Sequence, residues 1–354
     1  MNYSQCVSPS LSFAVAAIAL WTLAPLSGQA PAGIARPWTM ARTADGHPDI
    51  QGNWSNATIT PIDRPQGAPA VYTEAQAARM EKGYADRVER LAQPSDPDRP
   101  APPQGGDGST GAAGNVGGYN NFWVDPGDRI AVVNGERRSS IIVDPPSGRP
   151  PALTEAGRAR AAQRAEAFRT RGGEYDHPEF RPLAERCLMS FGSNAGPPML
   201  PNYFYNNNYQ IVQTKDLVMI VTEMVHDVRM IRLNATGHPP ARIRPWMGDS
   251  IGRWEGDTLV VETTNFHPLQ TFRGASDTLK VVERFTRVDA ETIHYKFTID
   301  DPQTWTAPWS GELPFRRTDE LIYEYACHEG NYALSNILSG ARAQEREAAT
   351  KKLQ

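Results

Sequence analysis

Cysteine is scarce in this chain: three among 354 residues, at positions 6, 187 and 327. That number excludes a Cys-rich zinc module and a densely cross-linked small scaffold. An excess of positive charge is also lacking. Lys and Arg total 36 against 40 Asp and Glu, with no long basic run, so neither nucleic acid nor an anionic membrane surface is an expected partner. The texts of nucleotide enzymes and zinc proteases are missing too: no P-loop, no Gly-x-Gly-x-x-Gly after a strand and no His-Glu-x-x-His. Charge is absent altogether from residues 1–35, and the first charged side chain is Arg36. What the chain has in plenty is Gly (29) and Pro (30), together roughly 17% where about 12% is ordinary. That excess favours a turn-rich β protein over a helical bundle.

The charge-free leader contains a nearly unbroken apolar run over residues 11–26, followed by Ser27-Gly28-Gln29-Ala30. Residues 1–30 are therefore expected to be a secretory signal. The run is short of the about 20 residues of a membrane span, so no stable span is expected after its removal; an uncleaved anchor is the alternative. Export to the periplasm or beyond places the mature chain in an oxidising space. Cys187 and Cys327 are the two thiols left after cleavage, and they are expected to form a disulfide. A buried free pair or a reactive thiol are the alternatives.

Residues 31–93 read as an extended, Pro-punctuated segment followed by a helix. Thr73-Glu74-Ala75-Gln76 is a capping box, and Met80, Tyr84, Val88 and Leu91 recur at helical spacing behind it. Residues 94–118, rich in Pro and Gly, read as a linker or surface loop. Residues 119–354 form the main domain, with an inserted helix over 154–171 and a last helix over 331–351. From Tyr209 onward about eight strands follow one another, the last expected over residues 321–327. In one of them Ile293, Tyr295, Phe297 and Ile299 alternate with polar residues, the half-buried antiparallel pattern. The expected fold is mainly β: a closed antiparallel barrel whose interior can hold one small ligand, with two or three peripheral helices. A β-sandwich is the alternative.

Several phrases resemble a family of exported bacterial proteins: Arg42-Thr43-Ala44-Asp45-Gly46-His47-Pro48-Asp49, Glu185-Arg186-Cys187, Tyr205-Asn206-Asn207-Asn208-Tyr209-Gln210, Trp254-Glu255-Gly256-Asp257-Thr258-Leu259, and the run from Tyr325 to Tyr332. The resemblance covers nearly all of the mature chain and implies export, but no reaction. Gly52-Asn53-Trp54 is similar to the Gly-x-Trp that opens the first strand of lipocalins, which supports a barrel.

The densest polar group in apolar surroundings is Glu223, His226, Asp227 and Arg229. Residues 217–233 exceed the usual strand length, so a bend or bulge is expected where Glu223 to Asp227 interrupt the apolar text. Strand alternation puts Asp227 and Arg229 on one face as an ion pair, with His226 on the other. His226 is the candidate base; a structural histidine is the alternative. His328 and Glu329 form a second candidate catalytic group after the last strand, flanked by Tyr325 and Asn331; Glu329 equally suits a helix N-terminus. Tyr205, Asn207 and Tyr209, with Glu223, Tyr325 and Asn331, are the candidate substrate contacts, aromatic faces and amides suiting a small organic molecule. The Tyr203–Tyr209 run equally suits a structural loop. No His-x-His or His-x-x-x-His pair occurs, and no metal or cofactor is assigned. His47, His177, His238 and His267 lie in loops and receive no role.

Two functions follow: an exported enzyme acting on a small neutral molecule by His-assisted acid–base chemistry (lyase, isomerase or hydrolase), or a non-catalytic small-ligand-binding protein. The leader carries a prediction of its own. N-terminal sequencing of exported protein should start between about residues 28 and 36; Met1 would refute it.

Overall fold

The computed structural model describes residues 38–91, 98, 126–170, 173–190, 196–201, 205–270 and 272–352. The expected signal, the start of the N-terminal segment, nearly all of the 94–118 linker, Tyr203 and Phe204 lie outside them. Residues 38–354 belong to one compact unit.

In chain order the strands are β1 (Gly52–Ser55), β2 (Val71–Tyr72), β3 (Val132–Val133), β4 (Glu136–Arg138), β5 (Ile142–Asp144), β6 (Asn208–Gln213), β7 (Leu217–Thr222), β8 (Val228–Leu233), β9 (Asp249–Glu255), β10 (Thr258–Thr264), β11 (Lys280–Arg287), β12 (Thr292–Asp300) and β13 (Trp309–Arg317). The helices are α1 (Glu74–Leu91), α2 (Glu155–Thr170) and α3 (Ala333–Lys352). β1 and β6 to β13 form one sheet that closes on itself, because β1 pairs with β13 at Trp54–Arg317 and Ser55–Arg316. β5 pairs with β13 at Ser310 and Gly311, away from the Arg316–Arg317 stretch that β1 pairs with, and β2, β3 and β4 make a small separate sheet.

The barrel is mixed rather than purely antiparallel. β8 and β9 run parallel, which requires a long connection between them. Residues 234–248 supply it. They are tied down by Trp246 stacked on His267 at 3.8 Å and by Asn265 Nδ2 donating to the Pro239 carbonyl at 3.0 Å. β9 was not legible as a strand, since Gly252 breaks its apolar text. Its glycine is a packing requirement: a Cβ there would lie 2.7 Å from Ile231 Cγ2.

Alternation fills the barrel. Ile293, Tyr295, Phe297 and Ile299 all point inward as expected, and meet Trp54, Tyr209, Phe285, Trp309 and Phe315 in one buried cluster. The interior is thus packed with side chains where a ligand cavity was expected. At its centre Arg229 and Glu283 form an ion pair with side chains 2% and 0% exposed. Arg229 donates to Glu283 Oε1 at 2.9 Å, to Ser250 Oγ at 3.0 Å and to Thr263 Oγ1 at 2.9 Å. Tyr295 donates its hydroxyl to Glu283 at 2.8 Å and accepts the Met199 N–H at 2.8 Å. Every strong donor and acceptor in the group finds a partner, which is the condition for tolerating buried charge.

The helices begin and end within two residues of expectation. The capping box forms reciprocally: Gln76 N–H donates to Thr73 Oγ1 at 3.2 Å, and Thr73 N–H to Gln76 Oε1 at 2.9 Å. The expected apolar stripe of α1 differs, since Met80 and Val88 are exposed and Ala77 packs instead on Tyr72 and Ile130. Residues 321–327 are not a strand. With β13 already paired to β1 there is no free edge for another strand. The chain leaves through Thr318 N–H donating to the Asn53 carbonyl at 3.0 Å and continues as an irregular tail.

Removing one partner of the central pair should be costly. Glu283→Leu strands a buried guanidinium and should lose about 3–5 kcal/mol in urea unfolding, while Arg229→Met combined with Glu283→Leu should recover most of it. A single variant as stable as the parent would disprove the pair's role.

Candidate functional site

An open cleft of about 430 Å³ lies against the tail, and its lining contains no barrel-strand residue. One wall is Ala184 and Glu185. The other is the tail from Glu324 to Cys327 together with Asn331 and Ala333, and Tyr205 closes one side. Cys187 and Cys327 are bonded, as expected, joining the two walls across 140 residues of sequence. Asn331 Nδ2 donates to Cys187 Sγ at 3.5 Å, and its Oδ1 accepts the Ala333 N–H at 3.2 Å, starting α3.

Tyr205 and Tyr325 meet by their hydroxyl groups. Burial first, then the neighbouring Tyr205 and its hydrogen bond, push Tyr325 up to about 12, so the phenol stays neutral in physiological solution. Glu185 is locked in place by Arg181, which grips it with Nε and Nη2 at 2.8 Å each. Arg181 also binds Glu174 at 2.5 Å and covers the Tyr175 ring at 4.9 Å.

Of the residues expected to touch substrate, Tyr205, Tyr325 and Asn331 line this cleft. Glu223 borders it at one remove: its Oε1 takes the Tyr323 N–H at 3.5 Å and its Oε2 takes Asn208 Nδ2 at 2.8 Å. Asn207 and Tyr209 are buried instead. Tyr209 belongs to the barrel core, where its hydroxyl receives Asn56 Nδ2 at 3.2 Å. Asn206 takes the left-handed conformation (φ 55°), the structural use foreseen for this loop.

The bend expected over Glu223 to Asp227 is sharper than a bulge. A 3-10 turn, Met224–His226, reverses the chain so that β7 and β8 form a hairpin. Val225 (φ 61°) and His226 (φ 50°) are both left-handed. For a β-branched residue this is an outlier of the kind that clusters at functional sites, costing about 1–3 kcal/mol. The turn also breaks the expected Asp227–Arg229 pair. Arg229 points into the barrel and pairs with Glu283, while Asp227 precedes the strand and takes a backbone hydrogen bond from Ser190. Burial is the largest influence on Asp227 and pushes its carboxyl up to about 6, against the opposing pull of His226 and Ser190. Its Oδ2 is buried without a hydrogen-bond partner among the described residues. His226, His328 and Glu329 are exposed, and none of them lines the cleft.

Two constellations escaped the sequence reading. Gly248-Asp249-Ser250-Ile251-Gly252 has the Gly-x-Ser-x-Gly spacing of a nucleophile elbow. Here it lies within and just before β9 rather than at a strand-to-helix turn, and Ser250 is buried against Arg229 and Thr263. The same short stretch carries Asp249, whose Oδ2 is 2.7 Å from His238 Nδ1 and 2.8 Å from Arg232 Nη2. His238 Nε2 faces Glu262 at 3.5 Å. Asp249 and Ser250 are adjacent in one strand and point to opposite faces, so no Ser–His–Asp relay forms. Among the described residues no group of three or more His, Cys, Asp or Glu side chains is arranged to hold a metal.

Asp227 yields a prediction about pH. A carboxyl raised from about 3.9 unfolded to about 6 folded binds a proton more tightly in the native state, so its contribution to stability falls as pH rises from 4 to 6. Asp227→Asn removes that cost. Discounted for partial exposure, the variant should gain about 1–2 kcal/mol over the parent at pH 7.5 and nothing at pH 4. Equal urea midpoints for the two proteins at pH 7.5 would count against it.

Compared with protein-family models, curated proteins and solved structures, the chain finds no match in any of the three.

Proposed function

We propose that this is an exported small-ligand-binding protein whose ligand occupies the cleft beside the Cys187–Cys327 bridge. The cleft itself carries the reading: its roughly 430 Å³ lies in the range of small-molecule sites, about 300–1,000 Å³, and its lining mixes alanine and tyrosine side chains with a few polar groups. Ala184, Ala326 and Ala333 leave the space open, and Tyr205 and Tyr325 supply hydroxyls beside aromatic surface. The disulfide fits export, as does the charge-free leader, and no helix among the described residues is long and apolar enough to cross a membrane. The closed barrel acts as a rigid base, and specificity resides in the tail.

An enzymatic reading has one observation in its favour. Asp227 sits on a strained turn with one carboxyl oxygen unpartnered among the described residues, raised into the range where a carboxylate exchanges protons near neutrality. The turn touches the same two segments that build the cleft, through Ser190 and Tyr323. On this reading Asp227 is the base, with His226 next to it on the turn.

Thermal-shift screening against pools of small molecules tests the site. A hit at a hundred times its Kd should add about 2.7 kcal/mol of stability. The shift should vanish in Ala333→Trp, which fills the cleft, and shrink in Tyr325→Ala. A hit that stabilises Ala333→Trp as much as the parent sinks the cleft assignment. Turnover of a hit that disappears in Asp227→Asn, with binding intact, would establish the enzyme instead.

A further inference from the structure

We infer that the cleft selects an organic cation, an amine or quaternary ammonium group, over the neutral molecule expected from the sequence. The inference rests on the cleft being the ligand site. It comes from the balance of charge along the lining, which among the described residues contains two carboxylates, Glu185 and Glu324, and no Lys, Arg or His.

Glu185 is not the attractor. Both of its oxygens are taken by Arg181, and Arg181 is shared with Glu174, so the three groups together still carry one negative charge. Glu324 is different: it is exposed at the rim and forms no ion pair among the described residues. An anionic ligand entering here would meet uncompensated negative charge, which is a selective penalty as much as a missing attraction.

The neutral groups point the same way. The two phenol oxygens are hydrogen-bonded to each other and burial keeps Tyr325 un-ionised, so the pair offers lone pairs and aromatic surface. Asn331 directs its Nδ2 toward Cys187 and its oxygen toward the Ala333 N–H, so it serves the wall more than a guest. What remains is aromatic surface beside a free carboxylate, the combination that binds ammonium groups. A metal ion is the wrong cation, because no cluster of three or more ligating side chains exists among the described residues. A compact organic cation fits both the chemistry and the volume.

Choline and its neutral isostere 3,3-dimethyl-1-butanol form a matched pair of probes. Titration calorimetry on the purified protein should give at least about tenfold tighter binding of choline at low salt, with the margin narrowing as ionic strength rises and screening shortens. Glu324→Gln should weaken choline about three- to fivefold and leave the alcohol unchanged, the size expected for one exposed charge. Its melting temperature without ligand should equal the parent's, since Glu324 forms no ion pair among the described residues. Equal affinities for the two probes, insensitive to Glu324→Gln but abolished by Ala333→Trp, would overturn the cation preference and leave the cleft standing. No choline binding at millimolar concentration also overturns it. Choline binding that survives Ala333→Trp would instead overturn the cleft as the site.

Discussion

Closure of the sheet is the constraint from which the other features follow. Once Trp54 and Ser55 pair with Arg317 and Arg316, every barrel strand has two neighbours and no edge remains exposed. Closure fixes β1 as both first and last in the ring. Trp54 is accordingly held from several sides: its Nε1 donates to the Ile50 carbonyl at 3.0 Å, and the Arg287 guanidinium lies 5.5 Å from its ring. Arg287 also donates to the Asp49 carbonyl at 2.7 Å, tying β11 to the segment that enters β1. The phrase Asp49 to Trp54 is thus the clasp of the barrel, and its residues answer to that task rather than to a ligand.

A closed ring with its interior full cannot receive a ligand without expelling side chains. The buried Arg229–Glu283 pair makes this more than a matter of volume. Apolar residues can slide past one another at small cost, whereas a guanidinium with four fixed bonds demands one register of β8, β9, β10 and β11. A one-residue slip of any of these strands would turn its inward groups outward and leave charge unpaired in the core. The pair therefore works as a register lock. With the interior committed to packing, the tail after β13 is free to take up another role, and with residues 184–187 it builds a cleft outside the barrel.

Much of this was legible in the text, for physical reasons that differ by residue. The alternation Ile293–Ile299 reads correctly because one face of a barrel strand is uniformly dry. The Thr73 cap and the Cys187–Cys327 bridge read correctly because they rest on local chemistry and on a count of thiols. The resembling phrases proved to be contacts between distant segments. Arg42 pairs with Asp257 at 2.8 Å, and His47 stacks on Trp254 with ring centres 5.2 Å apart. What escaped depends on partners far away in sequence. Nothing near Arg229 says that Glu283 lies across the barrel; Asp227, two residues off, is the better guess from alternation alone. His238 looked like a loop residue beside Gly and Pro, and its carboxylate neighbours come from two other segments. The tail read as a strand because its apolar text is strand-like, and whether a strand forms there is decided by whether an edge is open.

The strained turn and the cleft share their supporting segments. Glu223 is buried between Asn208 at the start of β6 and the backbone of Tyr323 in the tail, so the turn that follows it is fixed from both sides. Ser190, which bonds Asp227, lies three residues beyond Cys187. On the proposed function, a ligand that parts the two walls of the cleft would act on the segments of Ser190 and Tyr323, which contact Asp227 and Glu223. Val225 and His226 hold backbone energy there, and Asp227 holds the cost of a half-buried carboxyl. Movement that hydrates Asp227 would lower its proton affinity and release part of that cost. On the proposed function, ligand binding and the ionisation of Asp227 would be linked thermodynamically, each altering the other by the same factor.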